Sequence, residues 1–213
     1  MAPQLSEFKQ FQQQFSAKKY CRLPTIVPPH ALALMFQAAV LNRHHDGYME
    51  YDEKTQAFGR YCDAMGEALL MMVQPMLEKR IGISLLPCYS FLRFYTPESR
   101  LPRHIDRPSC EISVTLPIGS YQTDPVNWPI WVESDGQDLP VKLEAGEILV
   151  YRGAEITHWR EPLKSGFWVQ LFLHYVDANG DYKDYAFDRR ERLGPVSLPV
   201  KDRPGINLPK RED

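Results

Sequence analysis

The chain has 213 residues, 44% hydrophobic and 12% aromatic, and a formal net charge of −2. That length fits one domain with a real core rather than two independent ones, and no apolar run approaches the roughly eighteen residues of a membrane span. The near-neutral charge gives no global field for nucleic acid, so neither membrane nor nucleic acid is expected as a partner, and the Arg189, Arg190 and Arg192 run reads as a solvated face.

The N-terminus has no apolar signal core and is too acidic and Gln-rich for a transit peptide, so a cytoplasmic location is expected. The first eighty or so residues read as helical. In Ser6–Lys18, Phe8, Phe11 and Phe15 recur at helical spacing and make one packing stripe. Pro28 and Pro29 suit the first turn of a second helix from His30 to about Leu41. A third helical pattern covers 52–79, where Phe58, Cys62, Met65, Leu69, Met72 and Met76 step at threes and fours and Pro75 is expected to kink or end the helix. This Met-rich stripe reads as core packing. Cys21, Cys62, Cys88 and Cys110 show no C-x-x-C pairing and read as reduced, mostly buried thiols.

After Gly82 the pattern turns to short alternating runs rich in Val, Ile, Tyr, Phe and Trp, punctuated by Pro and Gly. Predicted strands are Ser90–Tyr95, Glu111–Ile118, Pro129–Glu133, Leu139–Leu143, Ile148–Arg152 and Phe167–Val176. Ile112, Val114, Leu116 and Ile118 share one strand face and Ser113 and Thr115 the other, as fits a strand lying between a packed layer and a polar cavity. Strands at this spacing predict a mainly β fold with N-terminal helices, a jelly roll or cupin-like sandwich whose mouth can hold a ligand. The expected division is a helical part over 1–82, a β core over 83–193, and a Pro-rich strap or tail over 194–213.

The sharpest chemical signal is His104-Ile-Asp106 together with His158, at the end of a predicted strand. Residues two apart on an extended segment point the same way, so His104 and Asp106 can present an imidazole and a carboxylate to one metal, which His158 joins from a neighbouring strand. Two His and one carboxylate leave coordination positions open, as a non-haem iron(II) oxygenase requires, whereas a closed structural zinc site would want a fourth protein ligand. His30, His44 and His45 fall in the helical half and are discounted. His174 faces either the pocket or the second layer; Trp128, Trp131 and Trp159 are pocket or core aromatics; Glu111 reads as structural.

The segment Tyr95-Thr-Pro-Glu-Ser-Arg-Leu-Pro-Arg-His104-Ile-Asp106-Arg-Pro resembles the approach to the metal site in the prolyl-4-hydroxylase-like branch of the iron(II)/2-oxoglutarate oxygenases. Gly146-Glu-Ile-Leu-Val-Tyr-Arg-Gly followed by Thr157-His158-Trp159-Arg160-Glu161-Pro162 is similar to the stretch around the distal His in bacterial members. The resemblance covers roughly residues 85–176. It implies a double-stranded β-helix buttressed by helices, iron(II) on His104, Asp106 and His158, Tyr95 at the co-substrate, and 2-oxoglutarate and O₂ consumed together, with ascorbate as a supporting reductant. Many members carry an Arg or Lys beyond the distal His for the far carboxylate of 2-oxoglutarate, but Phe167, Trp168 and Val169 stand there in this chain. Arg160 and Arg93 are the replacement candidates, with Lys164 and Gln170 next. A carboxylate in a barrel needs a cation, ideally an Arg fork. The expected activity is hydroxylation of a small molecule such as an amino acid or natural-product intermediate. The same residues leave open a protein side-chain hydroxylase, a cupin-like metal enzyme without 2-oxoglutarate, and a non-catalytic jelly-roll binder.

Overall fold

The computed structural model describes residues 2–121 and 128–195. Helix α1 (Ala2–Lys18) leads into strand β1 (Tyr20–Leu23); helix α2 (Pro29–Asn42) precedes the hairpin β2 (Glu50–Asp52) and β3 (Ala57–Tyr61), and helix α3 (Ala64–Ile81) follows. The remaining strands are β4 (Leu85–Tyr95), β5 (Leu101–His104), β6 (Ile112–Tyr121), β7 (Ile130–Ser134), β8 (Gln137–Val141), β9 (Ile148–Arg152), β10 (His158–Arg160) and β11 (Phe167–Asp177). They build a major sheet in the order β1-β9-β6-β11-β4-β3-β2 and a minor sheet in the order β5-β10-β7-β8. Every neighbouring pair is antiparallel. This is the expected two-sheet β fold with helices against one sheet. No described helix is long and apolar enough to cross a membrane.

The major sheet is buried on both faces, and strand alternation divides the work. On one face Leu92 and Phe94 of β4, Val114 and Leu116 of β6, Val150 of β9, and Leu171 and Leu173 of β11 join the core formed with the helices. On the other, Ser113, Thr115 and Gln170 are buried polar side chains facing the barrel. Ile130 and Val132 of the minor sheet close the barrel against Leu149 and Tyr151. The apolar and polar faces expected of β6 are thus the faces observed.

The N-terminal part is less helical than its sequence pattern predicts. Residues 50–61 form the β2–β3 hairpin, which extends the major sheet beside β4, and β1 pairs with β9 at the other edge. The turn chemistry explains the hairpin. The Asp52 carboxylate accepts from Lys54 N and Thr55 Oγ1, and Gln56 takes a left-handed φ of 51°, so the chain reverses where the helical reading had it continue. Phe58 and Cys62 therefore match a helical period by chance. Helix α3 begins only after Asp63, whose side chain caps the backbone N–H groups of Met65 and Gly66. It runs through Pro75 to Ile81 and stops at Gly82, which has a φ of 73°. The carbonyl that Pro75 leaves unpaired belongs to the exposed Met71, where water can satisfy it. All four cysteines are free and buried, as expected. The expected Pro-rich strap lies, beyond Pro195, outside the described residues.

Where the C-terminal segment meets the core, the buried Glu67 of α3 accepts from Ser90 N, Ser90 Oγ, Arg190 Nη2 and Gly194 N. Removing that carboxylate leaves a strand amide and a guanidinium without their partner. Glu67→Ala is expected to lower unfolding free energy by about 3 kcal/mol, read as a lower urea midpoint with unchanged slope; a loss below about 0.5 kcal/mol would show that water takes over these donors.

Candidate metal centre and active-site cavity

His104, Asp106 and His158 come together at one mouth of the barrel, their ligand atoms all within 4.8 Å of one another. Asp106 Oδ1 lies 3.4 Å from His104 Nε2 and 3.6 Å from His158 Nε2. His158 opens β10 rather than ending a strand, and it pairs directly with His104 on β5. The pairing then slips, so that Arg160 stands opposite Leu101: three steps along β5 match two along β10. That bulge turns Leu101 and His104 to the same side despite their odd spacing.

Backbone carbonyls fix the tautomers. His104 Nδ1 lies 2.7 Å from Pro102 O and His158 Nδ1 lies 2.9 Å from Ile156 O. A carbonyl only accepts, so each Nδ1 carries a hydrogen, and Nε2 is the atom that each ring turns toward Asp106. The carboxylate is equally constrained. Its Oδ2 accepts from Ser113 Oγ, and the Asp106 amide donates to Gly153 O. Burial alone would raise the Asp106 carboxyl, but the His104 hydrogen bond and the neighbouring His158 and His174 outweigh it and hold it at about 2. The carboxylate is therefore ionised and ready for a cation. Burial conversely pushes His158 down and His174 down to about 4.

Three residues that support this centre had only weak sequence signals. Gly153 is packed so closely that a Cβ would sit 2.3 Å from Asp106 Oδ2 and 2.4 Å from Cys110 O. Its only trace in the sequence is a glycine just after a strand. Ser113 and His174 complete the chain behind Asp106, with Ser113 Oγ 2.9 Å from His174 Nδ1. His174 thus faces the cavity, which settles its alternation, and with Asp106 and Cys110 it forms a second cluster of ligand-type atoms sharing that carboxylate.

His104, Asp106 and His158 open on a cavity of about 180 Å³ that is also lined by Tyr89, Phe91, Arg93, Tyr151 and Phe172. Arg160, on the same side of β10 as His158, is buried in the barrel as well. It donates to Trp128 O and Gln170 Oε1, lies 4.7 Å from the Trp128 ring centre, and has no carboxylate partner among the described residues. Burial pushes this guanidinium down to about 10. Its Nε has no hydrogen-bond partner, nor does the hydroxyl of the wholly buried Tyr95 nearby. Gln170, which also takes Trp168 Nε1 and donates to Thr115, occupies the β11 position beside Arg160.

The other sequence candidates fall elsewhere. Arg93 lines the cavity wall and pairs with Asp52 at 3.3 Å. Lys164, His30, His44 and His45 are exposed. Glu111 is structural, accepting from Asp177 N. Trp131 and Trp159 stack on each other with Arg103 over Trp159, outside the barrel, whereas Trp128 packs within it.

No family model matches the chain, and no curated protein sequence matches it. Solved structures do. A Pseudomonas putida prolyl-4-hydroxylase superposes with a TM-score of 0.63 at 13% identity, covering 79% of this chain and 99% of that one. The α-ketoglutarate-dependent epimerase SnoN of nogalamycin biosynthesis reaches 0.69 at 10% identity, covering 91% and 96%. A prolyl hydroxylase from Trichoplax adhaerens, solved with a hypoxia inducible factor peptide, gives 0.66 at 12% identity over 83% and 91%. The fold of this chain is that of the iron(II)- and 2-oxoglutarate-dependent oxygenases, prolyl-4-hydroxylases among them.

Proposed function

We propose that this protein is an iron(II)- and 2-oxoglutarate-dependent dioxygenase that hydroxylates a small molecule. The observation that carries the reading is the joint presence of a three-ligand centre and a fully buried guanidinium without a counter-ion. A cupin-like enzyme working with metal alone has no use for such a cation. An uncompensated charge in a barrel is costly, and an anionic co-substrate reaching inward from the metal is what offsets it.

The residues fit both groups. His104 Nε2, His158 Nε2 and Asp106 Oδ1 would hold the iron; Arg160, with the orphaned Tyr95 hydroxyl beside it, would take the far carboxylate of 2-oxoglutarate. When bound, iron with 2-oxoglutarate and O₂ supplies the oxidising power to convert a substrate C–H to C–OH, with succinate and CO₂ as co-products. The protein's part is placement. The Pro102 and Ile156 carbonyls aim the imidazoles, Ser113 and Gly153 hold the carboxylate, and the Trp128–Trp168 wall keeps water from the cation. Anaerobic addition of 2-oxoglutarate to the ferrous protein is expected to give a visible charge-transfer band. Succinate should then form in air with ascorbate present, and iron-dependent turnover that ignores omission of 2-oxoglutarate would reverse the reading.

For the metal, replacing His104, Asp106 or His158 by Ala is expected to abolish stoichiometric iron while the fold persists, measured by metal analysis beside circular dichroism. Gly153→Ala should weaken iron binding by about tenfold or more, since the new methyl must displace Asp106. Full iron occupancy in His158→Ala would remove that residue from the centre.

For the co-substrate, Arg160→Ala is expected to lose roughly 2–5 kcal/mol of 2-oxoglutarate affinity, thirtyfold or more in Kd, at nearly unchanged iron affinity. Lys should recover only part of it, because an ammonium has no planar fork. Arg160→Met should stabilise the 2-oxoglutarate-free protein by about 1 kcal/mol or more, as an uncompensated charge is replaced by an apolar chain. A parent-like 2-oxoglutarate titration for Arg160→Ala would move the anchor elsewhere.

A further inference from the structure

Beside the metal cavity lies a second hollow of about 530 Å³, a size typical of small-molecule sites, bounded by the β2–β3 hairpin and β4. The two spaces share Phe91 and Arg93 as lining. The Phe91 ring covers Gly59 so closely that a Cβ there would lie 2.5 Å from Phe91 Cζ. Tyr51 and Tyr61 add aromatic surface, and Glu50 and Asp52 stand on the hairpin rim.

Arg93 is the unusual group here. Its guanidinium lies 4.9 Å from the Phe91 ring centre and 5.9 Å from that of Tyr95, and the side chain is only 14% exposed. Its Nε is buried with no partner. The ion pair it does make is one contact of 3.3 Å to Asp52, a carboxylate 38% exposed and already accepting from Lys54 N and Thr55 Oγ1. Such half-exposed single-contact pairs contribute little, whereas an unpaired buried N–H is costly. The pairing with Asp52 therefore leaves the buried edge of the guanidinium unexplained, and a planar anion lying along that edge would take Nε–H and an Nη–H together.

We infer that the outer hollow is the subsite of the molecule to be oxidised, and that this molecule is a small carboxylic acid with an apolar or aryl body. Its carboxylate meets the Nε edge of Arg93, at the wall the two spaces share, and its body lies against Phe91, Tyr51 and Tyr61, which keeps the carbons next to the carboxylate nearest the metal cavity. The inference rests on the iron and 2-oxoglutarate reading above, in which Arg160 holds the co-substrate and Arg93 is free for a second anion. Glu50 and Asp52 balance Arg60 and Arg93 in this lining, so a singly charged carboxylate suits it.

The test is anaerobic calorimetric titration of the ferrous, 2-oxoglutarate-loaded protein with 3-phenylpropanoate and with 3-phenylpropanamide, in the parent and in Arg93→Gln. The acid is expected to bind the parent about tenfold or more tightly than the amide, and Arg93→Gln should erase that preference while leaving the amide's affinity unchanged. The charge-transfer band given by 2-oxoglutarate should survive in Arg93→Gln, which shows that the variant is folded and the inner site intact. Equal binding of acid and amide, no binding of either, or equal weakening of both would overturn the inference. So would a loss of 2-oxoglutarate affinity in Arg93→Gln, which would make Arg93 the co-substrate anchor. Absence of the band in the parent itself condemns the iron and 2-oxoglutarate reading instead, and the acid-against-amide comparison on the unloaded protein then decides on Arg93 alone.

Discussion

Everything at this site depends on a sheet that must be buried on both faces for opposite reasons. Strands β4, β6, β9 and β11 each send alternate residues into a packed helical core and into a barrel lined with polar groups. A strand's side-chain period is two, so a one-residue slip would exchange the two sets, moving Leu92 and Leu171 into the barrel and Arg93 and Gln170 into the core. The register is held by that penalty. The helices consequently serve the chemistry, because burying the outer face is what fixes which residues the inner face presents.

The same alternation made part of the site legible and hid the rest. The convergence of His104, Asp106 and His158 could be read from spacing because His104 and Asp106 sit two apart on extended chain and His158 lies near a strand. The polar face of β6 was likewise readable. The β5 bulge that turns His104 inward has no local sequence signature, since it arises only when β10 is laid beside it. The β2–β3 hairpin was misread because Phe58, Cys62 and Met65 fall at helical spacing. The signals that outweighed this pattern were small: an Asx-type turn at Asp52 and a cap at Asp63. Gly153 and His174 could not be assigned beforehand, because their roles consist of distances to residues far along the chain.

Charge placement follows the geometry. Arg160 shares a strand face with His158, so its depth in the barrel is set by the strand rather than by any partner. Phe167, Trp168 and Val169 on β11 offer no cation, and Gln170 beside them receives the guanidinium from β10. A motif search limited to one position would miss it, whereas burial without a counter-ion finds it from any strand.

The outer rim is assembled from the parts of the chain that the sequence described least well. Arg107, next to Asp106, makes a bidentate pair with Asp188, which also accepts from Tyr61 on β3, so one carboxylate ties the Asp106 loop, the hairpin and the C-terminal segment together. Asp188 reaches that point within three successive left-handed residues, Phe187, Asp188 and Arg189, with φ of 54°, 54° and 60°. Each non-glycine residue in that region costs on the order of 1 kcal/mol, so the segment would relax if nothing held it. The Arg107 fork, the Tyr61 hydroxyl and the Arg190 contact to Glu67 are what oppose the strain. The carboxylate side of this network is also held ionised: burial would raise Asp188, but the Arg107 and Tyr61 hydrogen bonds outweigh it and lower its pKa. The hairpin wall of the outer hollow and the loop bearing Asp106 are therefore positioned by one shared interaction, which couples the place where a substrate would sit to the place where a metal would be held.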